Sequence, residues 1–229
     1  MKLNIQNLGG KDFLRPNKRL VGIWGYPNPL ILKETMKKYP LHHFIDLDIA
    51  YGAPETQILP ENYCQIITNI VDNAFFLKDK LDLIIASIGE EKCDQGRFAG
   101  YILKNYGFNV LMTRYNENPN PPSDPIISTS SLPLKEKVLL IMDCILEPTL
   151  KDAYRLERSK PEFGFWGVTP NDLSLLELFP NNTHVYGWTR CVEMNHPANI
   201  DLEMFVDKNV PTVFYAQTFC AKMQLAKHL

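Results

Sequence analysis

The side chains most able to do chemistry crowd into one short stretch. Positions 87–97 read Ser-Ile-Gly-Glu-Glu-Lys-Cys-Asp-Gln-Gly-Arg, between the apolar run 83–86 and a helix-like segment over 98–106. Gly89, Gly96 and Arg97 lie where that helix would start. Backbone N–H groups and the helix dipole favour an anion at such a point, and a guanidinium can clamp it with two parallel hydrogen bonds. Glu90 and Asp94 in the same turn disfavour a highly charged anion. They suit hydroxyl groups instead, and Glu90 is placed to move a proton. An ion-paired turn facing water is the plainer alternative.

Thiols form the second constellation. Cys93, Cys191 and Cys220 each follow an expected strand by a few residues, Cys144 ends one, and Cys64 belongs to a helix core. Arg190 beside Cys191, and Lys222 near Cys220, would favour the nucleophilic thiolate. Cys191, Glu193 and His196 could serve as nucleophile, orienter and base. Cys93 is the other candidate nucleophile. Alternatively, converging cysteines could hold a metal or an iron–sulfur cluster, although the chain has no Cys-x-x-Cys pair. A third reading makes them small buried residues near strand ends.

Three further signals are weaker. Gly22 and Gly25 frame the end of the first strand, and Asp46 lies 21 residues past Gly25, where a dinucleotide fold places its ribose-binding acid. The Gly-x-Gly-x-x-Gly fingerprint is absent and Tyr26-Pro27 occupies the turn. Residues 44–52, Phe-Ile-Asp-Leu-Asp-Ile-Ala-Tyr-Gly, are similar to a strand end of the arginase and histone-deacetylase superfamily, with its Asp-x-His metal pair. Ala50 stands where that His would be, so no metal is expected here, while Asp48 stays a ligand-binding candidate. Aromatics such as Trp24, Tyr26, Trp166 and Trp188 border strand-end loops and could stack on a ring.

Composition narrows the class. The chain has 229 residues, 45 % of them hydrophobic, enough for a sizeable core. A net charge of −2 gives no electrostatic case for nucleic acid. No apolar run reaches the roughly 20 residues of a membrane helix, and no signal peptide is evident. The five cysteines, odd in number and scattered, suit a reducing, cytoplasmic compartment.

The elements that must position these groups alternate. Strands are expected at 20–24, 43–47, 83–86, 108–112, 138–142, 184–188 and 212–216, with helices between most of them. Residues 163–167 read as an aromatic loop, and helices are expected from Thr149 to Arg158 and after Pro170. The pattern predicts an α/β fold of Rossmann-like, doubly wound, three-layer type. It would have one mainly parallel sheet of about 6–7 strands with helices on both faces. Residues 1–18 would be an arm and 19–229 a single domain. The Pro- and Asn-rich loop 115–135 would be a lid or a plain connector.

In such sheets ligands bind beyond the carboxyl ends of the strands. The expectation is an enzyme, a transferase or hydrolase, for a small polar metabolite that is nucleotide- or sugar-like. Glu90, Cys93, Cys191 and Glu193 would be catalytic. Asp48, Asp94, Arg97, Arg114, Arg190 and Gln217 would bind the ligand, all in one crevice. No cofactor is indicated. The competing expectations are a thiolate-bound metal or iron–sulfur protein, and a non-catalytic binding or subunit-interaction protein. Self-association into a homo-oligomer is compatible with all three.

Overall fold

The structure is a computed structural model, and it describes residues 18–89, 92–114, 124–197, 199–217, 220 and 222–229. They fall into two compact units, within Gly9–Asn116 and Glu117–Leu229.

The first unit runs β1 (Leu20–Trp24), α1 (Pro29–Lys38), β2 (His43–Asp46), α2 (Gln65–Phe76), β3 (Leu81–Ser87), α3 (Asp94–Asn105) and β4 (Val110–Thr113). The four strands are parallel in the order β2-β1-β3-β4. All of β1 is buried, as a central strand covered on both faces requires. Gly22 is needed there because a Cβ would lie 2.7 Å from Leu47. Helix α3 buries Gly96, Ala99, Gly100 and Leu103. Phe98 and Tyr106 lie on its outer side, 58 % and 51 % exposed. Small residues bring the helix close to the sheet: a Cβ on Gly100 would touch Ile88, Trp24 and Met112. The larger aromatics are left outside.

The second unit runs α4 (Leu134–Leu146), a 3-10 turn (Leu150–Ala153), β5 (Phe163–Gly167), a second 3-10 turn (Leu173–Leu178), β6 (Thr183–Tyr186), α5 (Trp188–Glu193), α6 (Ile200–Glu203), β7 (Thr212–Tyr215) and α7 (Lys222–His228). Its strands are parallel in the order β6-β5-β7.

The α/β class therefore holds, but the strands form two parallel sheets of four and three, not one of six or seven. Two local readings change with it. Residues 138–142 lie in α4, not in a strand. Leu134, Val138, Ile141 and Ile145 are buried at helical spacing, whereas the central run alone is apolar at every position. Conversely, 163–167 is the central strand β5 rather than a loop. Its glycines, which read as breakers, allow close packing: a Cβ on Gly164 would lie 2.4 Å from Thr212 Oγ1, and one on Gly167 2.1 Å from the Tyr215 carbonyl. The helix expected over 149–158 shrinks to Leu150–Ala153, because Thr149 makes no side-chain cap. The one after Pro170 becomes the 3-10 turn at Leu173–Leu178, capped by Asp172.

Residues 115–123 of the expected loop lie outside the described residues. Segment 124–133 is a turn that lies along the outer edge of β6, where Val185 N–H donates to the Ser128 carbonyl at 3.0 Å. It covers an edge that would otherwise offer unpaired backbone groups.

Candidate functional site

In the first sheet, β1 is flanked by β2 on one side and β3 on the other, so the direction of winding reverses between β1 and β3. A crevice outside those two carboxyl ends is the usual ligand position. Three turns reach it, after β1, β2 and β3.

The turn after β2 is held rigidly. Tyr51 Oη donates to the Asp46 carbonyl at 2.9 Å. Asn73 Nδ2 donates to the carbonyls of Leu47 and Ile49 at 3.0 and 2.7 Å, and Asn69 Nδ2 to that of Asp48 at 3.0 Å. Four successive carbonyls are thus satisfied by side chains, and Asp48 N–H donates to Asp46 Oδ1 at 2.9 Å. This fixes the Asp48 carboxylate. Its Oδ2 accepts from Gly25 N–H, in the turn after β1, at 2.8 Å. Its Oδ1 is buried without a hydrogen bond and lies 3.7 Å from Lys92 Nζ, in the turn after β3.

Two glycines make room for that lysine. A Cβ on Gly96 would lie 2.6–3.1 Å from Lys92 Cε, Cγ and Cδ, so the stem lies across the first turn of α3. A Cβ on Gly25, whose φ is +65°, would lie 3.2 Å from Lys92 Nζ and 3.3 Å from Ser87 Oγ. Lys92 and Asp48 keep only 11 % and 9 % of their side-chain exposure. The Ser87 hydroxyl is fully buried and has no hydrogen-bond partner. An ammonium, a carboxylate oxygen and a hydroxyl therefore sit together, two of them unsatisfied. Buried polar atoms are rarely left so.

The other expected residues of this turn have separate roles. Arg97 turns inward, with Nε and Nη2 donating to the Gly89 carbonyl at 3.0 and 2.8 Å. Its Nη1 donates to exposed Asp94 at 3.3 Å. The guanidinium thus braces the turn from within. Cys93 is exposed at the N-cap of α3. Glu90 lies outside the described residues. The Arg114 side chain is exposed, and its carbonyl accepts from Asn28 Nδ2 at 3.3 Å, linking the end of β4 to the turn after β1.

The remaining candidates belong to the second unit. Cys191 is fully buried, and burial, reinforced by Glu203, pushes its thiol up to about 12. Glu193 is committed to segment 124–133: Oε1 accepts from Ile127 N–H at 2.6 Å, and Oε2 accepts from the N–H and hydroxyl of Ser128. Burial raises its pKa and these hydrogen bonds oppose the rise. The His196 N–H donates to the Cys191 carbonyl at 2.9 Å, and Gln217 is half-buried with its carbonyl accepting from Cys220 N–H. Arg190 is buried at 4 % exposure over the Tyr186 ring. The described candidates thus belong to two units: Asp48, Cys93, Asp94, Arg97 and Arg114 to the first, and Arg190, Cys191, Glu193 and Gln217 to the second. Among the described residues, no three His, Cys, Asp or Glu side chains group as metal ligands.

Lys92, Ser87, Asn69 and Asn73 escaped the sequence reading. The signal for the asparagines was present: two amides four residues apart on a helix face the same way. Lys92 carried no such mark among its charged neighbours. No family model and no curated protein matches the chain.

Proposed function

We propose that the chain is an enzyme for a small polar metabolite, nucleotide- or sugar-like, acting by group transfer or hydrolysis at the rim outside β1 and β3. One observation carries the reading: Asp48 Oδ1 and Ser87 Oγ are buried without hydrogen bonds beside the Lys92 ammonium. A ligand that offers both oxygen acceptors and hydroxyl donors would complete all three groups. Lys92 would hold an anionic oxygen or the negative charge that develops during transfer. Asp48, already fixed by Gly25, would accept a ligand hydroxyl. Cys93 is the accessible thiol of the same turn and would be the nucleophile of a covalent route. Glu90 would be the proton carrier.

A thermal-shift screen of nucleotides, sugar phosphates and amino acids tests this. A ligand that fits should raise the melting temperature of the native protein by mass action. Lys92→Met and Asp48→Asn should each weaken the same ligand about tenfold or more, a loss of about 1.4 kcal/mol. Equal responses from native protein and both variants would place the site elsewhere.

A further inference from the structure

Arg190 is the most buried cation with unmet donors in the second unit. It is 4 % exposed, and its Nε and Nη2 have no hydrogen-bond partner. Those two atoms have a specific relation. Nε–H and the outer N–H of Nη2 point the same way and form the side-on fork of a guanidinium. That edge matches the two oxygens of a carboxylate or phosphate. The fork is buried without an acceptor, while the group as a whole is held by two rings. The guanidinium carbon lies 4.4 Å from the centroid of the Tyr186 ring and 5.4 Å from that of Phe205. Tyr186 is fixed as part of β6, and Phe205 follows α6.

The acids nearby do not fill the fork. Glu193, three residues on, gives both oxygens to Ile127 and Ser128. Glu203 is paired with Lys222. Asp207 Oδ1 accepts from the N–H and side-chain amide of Asn209. Arginine does not shed its proton in proteins, so neutralisation cannot relieve the charge. Glu193 acts on the guanidinium through space but accepts no hydrogen bond from it, and buried donors left without an acceptor are costly.

We infer that the Arg190 fork, stacked on Tyr186 and Phe205, is a receptor for a small oxyanion, a carboxylate or a phosphate. The inference rests on the second unit alone and is independent of the reading of Lys92.

The test is a titration of the full chain with inorganic phosphate and, separately, with malonate, read by thermal shift and calorimetry against sodium chloride at matched ionic strength. At least one anion should bind saturably and raise the melting temperature, and which one does separates tetrahedral from planar recognition. The response should persist in Lys92→Met. Arg190→Lys, which keeps the charge and loses the fork, should bind at least tenfold more weakly. Arg190→Met should lose the response and, without anion, melt no lower than the native protein. If Arg190→Met fails to fold, Arg190→Lys alone decides. Neither anion acting beyond chloride, or Arg190→Lys responding like the native protein, would overturn the inference.

Discussion

Lys92 and Arg190 show how little a residue type says before its partners are known. Both cations end within buried surroundings with polar capacity unmet around them, while Arg97, the guanidinium that spacing favoured as a clamp, is satisfied by the Gly89 carbonyl. The cysteines divide in the same way. Cys93 is exposed, whereas Cys191 is buried and its thiol is raised to about 12. Thiolate is the reactive form, and access limits the rest. Titration with a disulfide reagent at neutral pH should therefore label Cys93 rapidly and Cys191 only on unfolding. Cys93→Ser should abolish the fast phase. A fast phase lost in Cys191→Ser instead would contradict the burial described for that thiol.

At the scale of elements, the turn after β2 and the first turn of α3 set the geometry. Helix α2 carries Asn69, Asp72 and Asn73 on its buried side, where each anchors loop residues: the asparagines hold 47–49, and Asp72 accepts from the N–H and hydroxyl of Thr56. Helix α3 gives up side-chain volume at Gly96 so that the Lys92 stem can cross it. Gly96→Ala separates stability from ligand binding. Alanine improves helix propensity by up to about 1 kcal/mol, while its Cβ would displace the flexible lysine stem. The variant should melt at or near the native temperature yet bind the Lys92-dependent ligand at least tenfold more weakly, in the same thermal-shift assay. Unchanged binding would mean that the path of Lys92 does not matter. The elements were legible where periodicity was long, as in α2. They were misread where an apolar run was short, as at 138–142, or where glycines served packing rather than turning, as at 163–167.

At the scale of the molecule, buried ionisable groups in the second unit govern how stability responds to pH. Burial, aided by Glu147, lifts the Asp143 carboxyl from its ordinary 3.8 to about 7. A group with a raised folded value binds its proton more tightly in the fold. Its contribution is complete below about pH 3.8 and is lost as pH rises through about 7. Lys137 runs the other way: buried and donating to the carbonyls of Asn181 and Thr183, it is lowered from 10.5 to about 8. Its contribution is present above about 10.5 and lost as pH falls through about 8. Denaturant midpoints at pH 5 and pH 8 should show the native protein losing more stability on going to pH 8 than Asp143→Asn. Parallel losses would mean that Asp143 is not buried as described.

The order of residues along the chain determined the α/β class, most strand positions and the placing of polar groups just past strand ends. Those features follow from local patterns: short apolar runs, helical spacing and turn residues act over a few positions. Only the tertiary structure decided that the strands form two sheets, that β5 is central, that Lys92 meets Asp48 across two turns, and that the Arg190 fork meets no acceptor. Each of these joins segments distant in sequence. Such pairings are selected by packing and burial of the whole chain, which no local pattern specifies.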